Sequence, residues 1–113
     1  MPTWADVKAA AADLPEVVEG TMWGKPCLRV RKDMFVRLRD EGETLVVRVV
    51  DEEDKEALIK GDPETFFTTP HYDGYAYVLV RLANVDPRML GELVEDAWRL
   101  RAPKKLLAAY EAR

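Results

Sequence analysis

Residues 27–50 read CLRVRKDMFVRLRDEGETLVVRVV. Three runs in this stretch alternate with the period of two that marks a half-buried strand. Leu28 and Val30 oppose Arg29 and Arg31, Val36 and Leu38 oppose Arg37 and Arg39, and Leu45, Val47 and Val49 oppose Arg48. Such alternation belongs to an antiparallel meander with one buried face and one wet face. Its register follows from the demand that paired residues share a face. A two-residue turn at Lys32-Asp33 sets the arginines against Val36. A three-residue connection, Lys32 to Met34, instead pairs Arg31 with Phe35 and Arg29 with Arg37, and is therefore expected. The next turn, Asp40-Glu41-Gly42-Glu43, pairs Arg39 with Thr44, Arg37 with Val46 and Phe35 with Arg48.

Helical periodicity flanks the meander. Thr3 and Asp6 resemble a capping box ahead of Trp4, Val7, Ala11 and Leu14, and Pro15 closes this first helix. Val17 to Pro26 is a connector with room for a short edge strand near Glu19 to Met22. Asp51 caps a second helix, Glu52 to Lys60, whose acidic first turn suits the helix dipole. Pro70 to Gly74 is a loop, and Tyr75 to Ala83 a strand with Val78, Val80 and Leu82 inward. Asp86-Pro87 is a strong helix start, an N-cap followed by proline at the first helical position. Met89, Leu90, Leu93, Val94, Ala97 and Trp98 then form an apolar stripe, and Lys104 to Glu111 is a last short helix. The expected fold is α+β: a two-layer antiparallel sheet with helices on one face, in the order α-β3-α-β2-α, as a single domain over residues 1–113.

At 113 residues, with 48% hydrophobic and 34% charged content, the chain is large enough for one core without disulfides or metals. Cys27 is the sole cysteine and His71 the sole histidine, so neither a disulfide nor a cysteine-rich zinc site is expected. No metal, no cofactor and no membrane partner are predicted, and the expected compartment is the cytoplasm. The net charge of −4 speaks against a globally basic nucleic-acid binder, so only a local patch can serve such a role.

That patch is the wet face of the meander. Arg29, Arg31, Arg37, Arg39 and Arg48 fall there, interleaved with Phe35. Arginines beside an aromatic on a flat sheet are a platform for phosphates and stacked bases. The same face also reads as solvated arginines paired with turn acids and with the segment Asp51–Glu64, where seven acids against two lysines leave −5. A second candidate is a small-ligand pocket under the His71 loop, lined by Trp23, Phe66, Phe67, His71 and Tyr72. No nucleophile stands at a useful spacing from His71, so no catalytic residue is assigned.

Gly20, Trp23-Gly24-x-Pro26, Val30, Lys32 and Phe35, followed by Pro70-His71-Tyr72-Asp73-Gly74, carry a family resemblance. With the Trp98-Arg99-x-x-Ala102-Pro103-Lys104 tail it spans nearly the whole chain, and the sequence resembles the MmcQ/YjbR family of small bacterial proteins. The resemblance implies a frataxin-like and secretion-chaperone-like two-layer fold and a DNA-binding role on a double-wing surface. Two functions follow as expectations. One is a DNA-binding or regulatory module working through the arginine face. The other is a protein-interaction or chaperone-like module without nucleic acid, which the net charge and the acidic second helix favour.

Overall fold

The computed structural model describes residues 2–39 and 42–113. Its elements run α1 (Trp4–Ala10), β1 (Val17–Met22), β2 (Lys25–Val30), β3 (Asp33–Leu38), β4 (Thr44–Arg48), α2 (Glu52–Gly61), β5 (Phe66–Phe67), β6 (Tyr77–Arg81), α3 (Pro87–Arg101) and α4 (Lys104–Glu111). The described strands form one open antiparallel sheet in the order β1-β2-β3-β4-β6-β5. The first meander therefore has four strands and not three, because the connector before Cys27 forms a full edge strand.

All four helices contribute to one apolar cluster on one face of the sheet. Val7 of α1, its C-cap Ala11, and Leu90, Leu93, Val94, Ala97 and Trp98 of α3 meet Leu28, Val30, Leu45, Val47, Val78 and Val80 there. Leu58 and Ile59 of α2, with Leu106, Leu107 and Tyr110 of α4, pack at its margin. Trp98 is fully buried, and its Nε1 donates to the Pro15 carbonyl at 3.0 Å, which fixes the end of the first helical segment against α3. The expected caps form: the Asp51 carboxylate accepts from the Asp54 N–H and the Asp86 carboxylate from the Arg88 N–H, both at 2.8 Å. No described helix is long and apolar enough to cross a membrane.

The second hairpin has the expected register, with Arg37 opposite Val46 and Val36 opposite Val47; Asp40 and Glu41 of its turn lie outside the described residues. The first hairpin does not. Val30 pairs with Asp33 and Arg29 with Met34, so the turn is Arg31-Lys32 and Arg31 leaves the sheet face. Beyond a break between Leu28 and Arg29 the pairs become Leu28 with Val36 and Cys27 with Arg37. Phe35 is the extra residue of a β-bulge, where two residues of one strand oppose one of the other. The bulge reconciles a two-residue turn with an intact apolar face. It does so by turning Phe35 into the core beside Val36, both at 0% exposure. Phe35 is therefore a core residue and cannot stack a base on the wet face.

Candidate ligand pocket on the outer sheet face

The face of the sheet turned away from the helices is not flat or fully wet. Cys27, Val46 and Leu79 on it are buried, and Arg37 is only 7% exposed. Two segments roof this region. One is the β1–β2 turn, where Trp23 and Gly24 have φ of 52° and 77°. Two successive positive φ values match the primed turns that suit the twist of a hairpin. Gly24 takes this conformation freely, whereas a left-handed tryptophan costs about 1–2 kcal/mol relative to ordinary backbone. The second segment is the loop between β5 and β6. Its single 3-10 turn, Pro70–Tyr72, follows from the two-residue length of β5 and from Pro70 at the first helical position.

Lys55 of α2 holds this loop in place. Its side chain is buried, and Nζ donates to the carbonyls of Tyr72 at 2.7 Å and Tyr75 at 3.0 Å, with Glu52 at 4.0 Å. The loop in turn presents the Tyr72 hydroxyl to the sheet, where it accepts from Arg37 Nη2 at 2.5 Å. His71 stands edge-on to the Tyr72 ring, with centroids 4.8 Å apart and planes at 82°. Across the gap, the Trp23 ring lies 5.3 Å from the Arg37 guanidinium carbon.

A cavity of 320 Å³ opens between these parts. It is lined by Met22 and Trp23 at the β1–β2 turn, by Arg37, Val46 and Met34 of the sheet, by His71 and Tyr72 of the loop, and by Tyr77 and Arg101, with Lys32 and Asp33. Arg101, in the last turn of α3, donates to the Tyr77 hydroxyl at 2.7 Å. Two arginines thus border one cavity, each hydrogen-bonded to a tyrosine hydroxyl. No carboxylate among the described residues forms an ion pair with either of them. The Nε atoms of Arg37, Arg48 and Arg101 are buried without a hydrogen-bond partner. A buried guanidinium without an anion is costly, because little solvent remains to replace the missing charge.

The five arginines expected on one platform are divided among different tasks. Arg31, in the turn, forms a two-point ion pair with Glu16. Arg29 lies along β1 and donates to the Thr21 carbonyl at 3.0 Å. Arg37 lines the cavity. Arg39, at the end of the β3 pairing, donates its backbone N–H to the Thr44 carbonyl at 2.8 Å. Arg48 lies over the Tyr77 ring at 5.6 Å and borders the cleft between α2 and α3. Arg81, a neighbour of the stripe, is engaged by the Pro63 and Glu64 carbonyls and covers Phe67 at 4.0 Å.

Of the five pocket residues expected from the sequence, Trp23, His71 and Tyr72 line the cavity. Phe66 and Phe67 do not. Phe66 pairs with Val80 on the helix side and is buried in the main core, while Phe67 sits beneath Arg81. Arg101 and Tyr77 were not expected in the pocket. Arg101 reads in sequence as a charge favouring a helix C-terminus, and no local pattern places that helix end beside the start of β6.

Charge elsewhere is organised by ordinary surface pairing. On α3, Arg99 bonds Glu95 at 3.0 Å, which with the neighbouring acids raises the Arg99 pKa. Partial burial, then the like charges of Glu95, Glu92 and Asp54, push the Asp96 carboxyl above its ordinary range, opposed by Arg99.

A family model described as YjbR matches residues 12–100 of the chain. Uncharacterized proteins of Mycobacterium bovis and of Mycobacterium tuberculosis are 39% identical to it over 126 residues, covering 99% of this chain and 98% of theirs. Among solved structures, the crystal structure of Deinococcus radiodurans protein DR2400, with family-model domain DUF419, is similar with a TM-score of 0.78 at 23% identity. That match covers 93% of this chain and 82% of the other.

Proposed function

The chain belongs to the YjbR family, and from that premise we propose that it is a binding module whose outer-face pocket receives a small anionic molecule. The observation that carries this reading is Arg37. The residue is 7% exposed and borders the cavity, and its guanidinium has a tyrosine hydroxyl and a backbone carbonyl, but no described carboxylate, as partners. An anion entering the cavity neutralises a charge that the fold has already desolvated, so the arginine is preorganised for it. A volume of 320 Å³ lies at the small end of ligand sites and suits a group of single-ring size.

Isothermal titration with simple carboxylates and inorganic phosphate at constant ionic strength tests the reading. Binding that disappears in Arg37→Met supports it. Absence of heat and of thermal stabilisation for every anion at millimolar concentration overturns it.

The second reading is the DNA-binding or regulatory role, in a narrower form than a basic sheet face. What favours it is the arrangement of Trp23, Tyr72 and Tyr77 beside Arg37 and Arg101, since aromatic plates next to guanidiniums suit an unstacked single-stranded nucleotide. Salt titration of duplex and single-stranded oligonucleotides separates the two. A single-strand preference with a shallow salt slope fits one nucleotide in the pocket, and no salt-dependent binding of either form removes this role.

A further inference from the structure

We infer that the ligand of this pocket joins a flat ring to its acidic group, and that Trp23 is the plate on which the ring stacks. This rests on the anion-binding reading of the same cavity and adds the class of molecule. Trp23 is 78% exposed, while Trp98 is fully buried. It occupies a turn position with φ of 52°, where asparagine or glycine fits without strain. This largely exposed ring contacts Arg37 and sits on a disfavoured backbone conformation, and such features collect at ligand clamps. The ring lines the cavity and lies 5.3 Å from the Arg37 guanidinium carbon. A ring stacked on Trp23 therefore brings an attached carboxylate or phosphate within a few atoms of Arg37. Tyr72, edge-on to His71, lines the same cavity and offers a second aromatic surface. The cavity volume admits one small ring system with one acidic group.

The test is isothermal titration of the full chain with four probes at matched ionic strength: phenyl phosphate, benzoate, inorganic phosphate and benzamide. The expected result is that phenyl phosphate or benzoate binds about tenfold or more tightly than inorganic phosphate, the size of effect that one aromatic stack supplies. Whichever of the two acids binds more tightly identifies the acidic group. In Trp23→Asn, which keeps a residue suited to the left-handed turn, the ratio of phenyl phosphate to phosphate affinity falls to near one. Equal affinity of the native chain for phosphate and the aromatic acids overturns the ring while leaving the anion site. Benzamide binding as tightly as the acids overturns the anion site. Silence from all four probes overturns both.

Discussion

The Arg37 guanidinium and the Tyr72 hydroxyl meet at 2.5 Å across 35 residues of chain, and this contact ties the middle of the sheet to the loop that crosses it. Tyr72→Phe keeps the ring and removes the acceptor, leaving a part-buried charged donor unpaired. The expected cost is about 1–3 kcal/mol. Urea unfolding checks it, with a lower midpoint and an unchanged slope.

Lys55 is the other anchor of that loop. Lys55→Met preserves much of the buried stem and removes the ammonium donor from the Tyr75 carbonyl and from the Tyr72 carbonyl, which keeps only the Tyr75 N–H. A loss of about 1–3 kcal/mol is expected. Hydrogen exchange provides the sharper measurement: amides of the loop from Thr69 to Tyr75 exchange faster, while those of β2 and β3 keep their protection.

Much of the fold is legible in the sequence because its determinants are local. Period-two alternation from Leu28 to Arg48, Asp86-Pro87 and the apolar stripe of α3 each specify an element without reference to the rest of the chain. The bulge at Phe35 is different. Strict alternation assigns Phe35 to the arginine face, and the turn alone does not reveal that an extra residue restores the parity. The pocket is legible only in part. Trp23, His71 and Tyr72 stand out as rare residues near turn signals. Arg101 does not, because its place at the cavity depends on where the end of α3 comes to rest against Tyr77. Phe66 and Phe67 were drawn toward the pocket by their position beside His71, but β5 pairing directs Phe66 into the core and leaves Phe67 under Arg81.

Gly24 carries a φ of 77° in open surroundings, so a methyl group there meets no neighbour and only the backbone conformation is penalised. Gly24→Ala should cost about 1–2 kcal/mol. Thermal unfolding reads the loss, and a weaker Trp23 contact with Arg37 should accompany it as a change in the accessibility of tryptophan to acrylamide quenching.

Asp96 gives the expected pH dependence. Burial and the acids Glu95, Glu92 and Asp54 raise its pKa in the folded chain. The folded form therefore holds this proton more firmly than the unfolded form, so stability attributable to Asp96 falls as pH rises through the two values. Asp96→Asn should raise the melting temperature only slightly at neutral pH, since solvent still reaches this partly buried carboxyl and screens it. The gain should vanish in acid, below both pKa values, where aspartate is protonated in both states. Melting curves at pH 7 and in strong acid decide this, and an equal gain at both is inconsistent with a charge effect.

The cavity borrows its lining from separate parts of the chain: the β1–β2 turn, β3, β4, the loop before β6, β6 itself and the last turn of α3. A fragment lacking any of these parts lacks part of the cavity lining. Occupancy is thereby coupled to global unfolding, and a ligand at a hundred times its Kd adds about 2.7 kcal/mol to the stability of the entire chain. The helices complete one core on one side of the sheet. On the other side, a molecule bound as proposed would complete a smaller second core, and the abundance of folded protein would then follow how much of that molecule is present.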